Sequence, residues 1–390
     1  MILLEARGEA RLRIAAIGDV GVLGRARSRA ARDGCDAVLA APAAVLRAAD
    51  LGFANLEFPV ADPAWVNAGS ASEFWHAADV PAALARAGVR VVSLANNHIM
   101  DCGERGLKRT LETCAAAGIA TAGAGPTLEH ACRPARLQVA GRRVAVLAYA
   151  TPSANAARGD RAGFAPLEAS RVRADVERAR SLADLTIVSV HGGSMYVDYP
   201  PPRALEMADL LESLGVDLVI GHHPHVLQGF RSRGHTLTLF SLGDAVLDPA
   251  AGDFEARVAR EIRRDSGVWT VTLADSPGLA FEPLTLDDDG VPMPASAERG
   301  AAILERLRRI TQGLGDASER FRRESAATLL RYELESLGSY LRAGRMDRAL
   351  RLLLSFRLRH LPILWGALTR GRSATRPRAG AAASDSTKLD

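Results

Sequence analysis

Lysine is almost missing from this chain: Lys108 and Lys388 stand against a large complement of arginine. The formal charge of +4 is mild, and an arginine skew of this kind reflects genome composition rather than nucleic-acid binding. Aromatic residues are 5% of the sequence, and no basic run is interleaved with them, so no stacking platform for single strands is expected. Cysteine is scarce too. Cys35, Cys102, Cys114 and Cys132 fit no zinc spacing, no Cys-x-x-Cys redox motif and no disulfide framework, which points to a reducing compartment. No run approaches the roughly 20 apolar residues of a membrane-spanning helix. The start, Met-Ile-Leu-Leu-Glu, has an acid at position 5 and no sustained apolar core, unlike a signal peptide. The expectation is a cytoplasmic protein. Peripheral contact with the inner membrane face is the membrane role left open.

What is present is histidine in one place. Asp217–Gln228 opens with a short apolar run, Leu218–Ile220, then Gly221, and then places His222, His223 and His225 within four residues around Pro224. A His-x-His pair just past a strand end can turn both rings into one pocket, and neutral imidazole is the commonest metal ligand. The same kind of cargo recurs upstream. Leu12–Ile17 reads as a strand running into Gly18-Asp19. Asp50–Asn55 reads as a second strand whose alternation puts Asn55 and Glu57 on one side. Val89–Leu94 runs into Ala95-Asn96-Asn97-His98-Ile99-Met100-Asp101, and Leu185–Val190 ends in His191-Gly192-Gly193. Thr236–Leu242 reads as a strand ending in Gly243-Asp244, and Val268–Leu273 as an outer strand. Helices are expected over Ala37–Ala49, Pro81–Ala87, Gly103–Ala117, a solvent-facing Val172–Ser181, and Arg203–Leu214. A hairpin over Ala135–Tyr149 turns at Gly141-Arg142.

In a βα protein the carboxyl ends of the central strands converge, so Asp19, Asn55 with Glu57, Asn97 with His98, His191, and His223 with His225 should meet in space. Any one of them reads as an ordinary cap, turn or core polar group; five strand ends in succession point to a site. Imidazoles, carboxylates and one amide oxygen form a mixed N/O set suited to a divalent transition metal such as Mn, Fe or Zn, and exclude thiolate chemistry.

The motifs Gly18-Asp19, Asn55-Leu56-Glu57, Ser93-Leu94-Ala95-Asn96-Asn97-His98 with Asp101, His191-Gly192-Gly193, Gly221-His222-His223-Pro224-His225 and Ser241-Leu242-Gly243-Asp244, in this order, resemble the CapA (poly-γ-glutamate capsule synthesis) family. That family is related to the calcineurin-like metallophosphoesterases. The resemblance implies an α/β fold, a four-layer α/β/β/α sandwich, with one or two metal ions at the strand ends. By motif it implies Asp19 and His225 on a first metal, Glu57 bridging, and Asn97, His191 and His223 on a second. His98 would be a catalytic imidazole oriented by Asp101, with Asn55, Asn96, His222 and Asp244 behind the ligands or against substrate. The chain departs from the pattern at Gly21, where phosphoesterases have a ligand histidine. It departs again at Gly192 and Met195, where CapA proteins have tryptophan and glutamate, and at Asp244, usually asparagine.

The expected organisation is a metallophosphoesterase-like domain over 10–295, an arginine-rich helical appendage over 296–370 and a disordered tail over 371–390. Within the appendage, Ala301–Gly313, Ala317–Ala343 and Met346–Leu368 have helical periodicity. Met346–Leu368 is basic and amphipathic, suited to an anionic membrane surface or to packing on protein. Two functions follow from these readings. One is a metal-dependent hydrolase or transferase on a phosphoester or γ-glutamyl (amide) bond, with an anionic polymer or a small phosphorylated or peptidic substrate. The other is a non-catalytic accessory of polymer synthesis or export.

Overall fold

A computed structural model describes residues 1–62, 65, 74–248, 264–342 and 346. Two sheets carry the main body. The larger has nine strands, in the order Ile2–Leu4, Gly278–Leu286, Asp265–Leu273, Leu12–Gly21, Leu51–Leu56, Val89–Ser93, Ala120–Ala122, with Asp244–Leu247 on Leu12–Gly21 and Pro292–Pro294 on Gly278–Leu286. The second has six, in the order Phe230–Arg233, Thr236–Leu239, Leu218–His222, Leu185–His191, Arg142–Ala150, Ala135–Val139.

Side-chain alternation assigns the layers. Along Arg142–Ala150, Val144, Val146 and Ala148 join the core shared with the larger sheet, whereas Ala145, Leu147 and Tyr149 join a second core. Leu218 and Ile220 face the first core and Val219 the second. That second core is closed by Val172, Val176 and Ala179 of helix Ala169–Leu182 and by Leu211 of helix Pro202–Ser213. The outer face of the larger sheet is covered by helices Ala40–Arg47, Val80–Ala87 and Gly103–Ala116, through residues such as Leu46, Leu84 and Leu107. The result is a four-layer α/β/β/α sandwich. Its central strands are parallel and apolar on both faces, as strands covered on both sides must be.

Four local readings change. Helix Ala169–Leu182 is not solvent-facing throughout: its Val172, Val176 and Ala179, one stripe at helical spacing, are buried. Ala37–Ala49 is broken into a 3-10 turn, Cys35–Leu39, and helix Ala40–Arg47. The strand at Thr236 stops at Leu239, and after Gly243 (φ 71°) the chain crosses to the larger sheet as Asp244–Leu247. Asp265–Leu273 is interior rather than outer, because Gly278–Leu286 folds back along it in a hairpin.

The chain divides into two compact units, Met1–Phe321 and Arg322–Asp390. Within the first, helix Ala297–Gln312 buries Ile303, Leu304, Leu307 and Ile310. In the second, the described residues are the remainder of helix Ala317–Arg342 and Met346. The rest of Met346–Leu368 and the tail 371–390 lie outside the described residues. Among the described residues no helix is long and apolar enough to cross a membrane.

Candidate metal centre

The carboxyl ends of Leu12–Gly21, Leu51–Leu56 and Val89–Ser93 in one sheet face those of Leu185–His191 and Leu218–His222 in the other. Parallel register sets the first contacts: Asp19 lies opposite Asn55 on one side and opposite Asp244 on the other. At this junction Gly18 touches the turn at Gly243 so closely that a Cβ would sit 1.8 Å from the Gly243 carbonyl oxygen. Only glycine allows that approach. The Asp19 N–H then donates to the same carbonyl at 3.0 Å.

Asp19 is fully buried and heavily bonded. Asn55 Nδ2 donates to its Oδ1 at 2.8 Å, His222 Nδ1 lies 2.9 Å from the same oxygen, and the His223 N–H donates to Oδ2 at 3.1 Å. Burial alone would raise this carboxyl. The hydrogen bond from His222 and the nearby imidazoles outweigh it and hold Asp19 below the ordinary carboxylate range. The other ring nitrogen of His222 is buried without a hydrogen-bond partner, and the ring stacks on Phe53 at 5.8 Å. His222 therefore acts as a brace for Asp19 from behind.

His223 and His225 flank Pro224 with φ of 96° and 56°, a left-handed backbone that few side chains adopt. The loop is pinned by the His223 N–H on Asp19, by Tyr196 N–H on the Pro224 carbonyl at 2.8 Å and by the Ser241 hydroxyl on the Val226 carbonyl at 2.8 Å. This conformation turns both imidazoles inward. His223 Nδ1 lies 3.2 Å from His191 Nε2, which is 2.8 Å from Asn97 Oδ1. His225 Nδ1 lies 2.8 Å from Asp244 Oδ1, leaving Nε2 3.7 Å from Glu57 Oε1. Glu57 is 0% exposed and also lies 3.9 Å from His191 Nε2.

Two groups could hold a metal ion: Glu57 with His191 and His223, and Asp19 with Glu57 and His225. Glu57 is common to both, and the Asn97 amide oxygen borders the first. The donors are carboxylate oxygens and neutral-capable imidazoles in a buried site, a set that fits Mn, Fe or Zn. A buried cluster of this composition needs cationic compensation. Without metal, a proton supplies it at His225. Burial would push His225 down, but Asp244, Glu57 and Asp19 raise it to about 10. Burial and the neighbouring imidazoles push His191 well down, and burial with His225 holds His223 at about 4.

The remaining candidates take distinct places. Asn96 is buried, its Nδ2 donating to the Leu56 carbonyl at 2.9 Å and its Oδ1 accepting from the His98 N–H at 3.1 Å, so it braces the turn and is closed to substrate. His98 is partly exposed, with Nδ1 2.7 Å from Asp101 Oδ2 and its ring against Phe58 and Phe74 at 4.7 and 5.5 Å. Asp244 holds the Nδ1 side of His225, an arrangement that fixes which nitrogen faces the centre. Sequence reasoning missed Tyr196, whose φ is 63° and whose ring lies 6.2 Å from His225. The available signal was its position five residues after His191 in an irregular Gly-rich loop.

Gly21 marks the departure from the phosphoesterase pattern, and the space there is closed. A Cβ on Gly21 would meet Leu247 Cδ1 and a Phe58 ring carbon, each at 2.7 Å. Gly21→His is therefore expected to leave metal stoichiometry unchanged and to cost about 1–3 kcal/mol of stability through overpacking. Elemental analysis and denaturant titration of the variant check both halves. A gain of metal would show that the loop can open to admit a further ligand.

With this geometry in place, comparison with known proteins is decisive at the family level. A family model for the bacterial capsule synthesis protein PGA_cap matches residues 13–249. The chain belongs to the PGA_cap family. The match spans Asp19 through Asp244, the whole of the centre. Among curated relatives, the capsule biosynthesis protein CapA of Bacillus anthracis is 29% identical over 251 residues, covering 62% of this chain and 61% of that protein. A probable polyglutamine synthesis accessory protein of Mycobacterium tuberculosis is 35% identical over 218 residues, covering 52% of this chain and 56% of that one. This PGA_cap chain thus spans about three fifths of the length of these relatives. Among solved structures, a 5'-nucleotidase precursor from Thermus thermophilus aligns with a TM-score of 0.45 at 14% identity, covering 78% of this chain and 59% of that one.

Proposed function

We propose that this PGA_cap protein is a metal-dependent hydrolase or transferase of capsule-polymer synthesis, acting on a phosphoester or a γ-glutamyl amide bond. The observation that carries the proposal is the pair of three-residue donor groups sharing the buried carboxylate of Glu57. A divalent ion bound there supplies polarisation of the scissile bond and activation of a water. The protein's own contribution is positional. Asp19 and Glu57 hold negative charge inside the site, braced by Asn55 and His222. His191 and His223 stay neutral, as ligands must.

His98 stands apart from both donor groups. Its Nδ1 is engaged by Asp101, so Nε2 is the nitrogen left to deliver a proton to a departing oxygen or nitrogen. Phe58 and Phe74 fix the ring plane. His98→Ala is expected to lower turnover by about 10²–10⁴ while metal content is unchanged.

The deciding experiment is elemental analysis of the purified protein beside His223→Ala, followed by hydrolysis assays on phosphodiester and γ-glutamyl substrates. Bound transition metal that falls in the variant together with activity supports the reading. Metal-free protein after growth and purification in metal-replete conditions, with no turnover, sinks it.

The closed space at Gly21 favours a second reading, in which a ligand-poor centre serves a non-catalytic accessory of polymer synthesis or export, docked at the membrane surface through residues 346–368. Under it, deleting residues 340–390 releases the protein from membranes, and a His223→Ala strain still exports polymer.

A further inference from the structure

A groove of about 880 Å³ lies between the short helix Leu128–Ala131, the strand Ala135–Val139 and the helix Ala169–Leu182. Four arginines line it: Arg133, Arg136, Arg171 and Arg178. The acids facing them are Glu129, Asp160 and Asp175. Two of these are already engaged inside the protein. Glu129 accepts from Arg133 at 2.6 Å, and Asp175 accepts from the Tyr149 hydroxyl at 3.2 Å. Arg136, Arg171 and Arg178 make no ion pair among the described residues. The Nε of Arg171 is buried without a hydrogen-bond partner, and Nη1 has only the weak acceptor Cys132 Sγ at 4.0 Å. Arg171 and Arg178 act on Asp175, and Arg178 on Glu129, only through charge beyond ion-pair distance, in contrast to Arg25, Arg143, Arg231 and Arg306 elsewhere, each ion-paired to an acid of the chain.

The spacing suits a chain better than a single anion. Arg171 and Arg178 are two turns apart on one helix, about 10 Å along its axis, and Arg136 approaches from a separate strand. The groove is also joined to the centre by one loop. Asn155 donates from Nδ2 to the Asn97 carbonyl at 3.3 Å, and four residues on Gly159 lines the groove and accepts from the Leu128 N–H at 2.8 Å. Four residues span at most about 14 Å, so the groove begins within that reach of Asn155, whose side chain is bonded to the Asn97 turn.

We infer that this arginine groove binds a polycarboxylate chain, holding successive carboxylates of the polymer whose reacting bond lies at the metal centre. Arginine takes carboxylate in paired, planar hydrogen bonds, which gives such a chain register as well as attraction. The choice of a polycarboxylate rests on the capsule-polymer reading above; the binding itself is measured without turnover.

The test is fluorescence anisotropy of a labelled γ-linked glutamate oligomer with the metal-loaded, full-length protein, at low and high salt. Polyphosphate and single-stranded DNA serve as competitors. The R171Q/R178Q double variant is expected to bind at least tenfold more weakly, with metal content unchanged. If the protein turns the oligomer over, the double variant should show a raised KM and an unaltered kcat. Should the double variant not fold, Arg136→Gln, on an exposed strand position, takes its place with a smaller expected loss. Equal binding by wild type and variant overturns the inference, and so does equal competition by polyphosphate or DNA. An inert protein whose oligomer binding depends on these arginines would refute the hydrolase reading and leave the groove standing. An active protein whose KM ignores them would do the reverse.

Discussion

Glu57→Gln is expected to remove metal from both positions of the centre. Glu57 is the residue common to both donor groups, and it sits at 0% exposure just past the strand Leu51–Leu56, its N–H bonded to the Val20 carbonyl at 3.2 Å. The glutamine keeps the volume, so the fold does not have to close a cavity, but it withdraws the negative charge and half of the oxygen donors. Loss of a partner behind a ligand costs 10–100-fold in metal affinity, so loss of a shared ligand should exceed about 100-fold. His223→Ala and His225→Ala each touch one group and are expected to lower, rather than abolish, the metal content. Elemental analysis of the three variants after identical metal loading separates the cases. If Glu57→Gln keeps its full complement while either histidine variant loses metal, Glu57 is not the shared ligand, and the two groups are not coupled.

The residues of this centre were legible because each sits at the end of an apolar run. A strand of six or seven residues followed by glycine, amide, acid or imidazole is a local pattern, and parallel strands bring such ends together whatever the rest of the chain does. The donor groups around Glu57 follow from that rule and from the motif resemblance. What the sequence did not display was long-range. Thr236–Leu242 reads as one strand because the apolar residues continue through Leu242, and the separate strand Asp244–Leu247 was not read at all, since the positive φ of Gly243 is what sends the chain to the other sheet. That crossover places Asp244 beside both Asp19 and His225, a pairing across 19 residues that no periodicity reports. Tyr196 was missed for a similar reason, since its place depends on a loop tied to the Pro224 carbonyl. The stripe Val172, Val176 and Ala179 is three small apolar residues in an otherwise charged helix, and it is easily read as solvent-facing until the sheet beneath it is known. The arginine groove drew no notice because its members come from three separate elements.

The second large prediction concerns the protein stripped of metal by a chelator. Its stability should peak near pH 6–7 and fall on both sides. On the alkaline side the responsible group is His225, raised to about 10 in the folded protein because Asp244, Glu57 and Asp19 outweigh the burial that opposes its charge. An unfolded histidine releases its proton near 6.5. The folded state therefore holds the extra proton between those values. The stabilisation is fully present below about pH 6.5 and is lost as pH rises through about 10, by linkage. On the acid side, folded His223 stays neutral down to about 4 and His191 well below its ordinary value, so the unfolded chain binds more protons and stability drops as pH falls from 6.5. Asp19, held below the ordinary carboxylate range, adds to this limb, because its contribution is present above its unfolded value and is lost on further acidification. Metal should reverse the alkaline trend. Its uptake displaces the His225 proton, so affinity rises with pH and a proton is released on binding. Asp244→Asn tests the assignment directly. It removes the carboxylate 2.8 Å from His225 Nδ1 and should cost about 3–5 kcal/mol at pH 6.5, the penalty for breaking a buried ion pair. It should also flatten the loss between pH 7 and 10. Thermal melts of the metal-free wild type and variant across that range read both effects. An alkaline limb that survives the substitution undiminished would place the stabilising proton on some group other than His225.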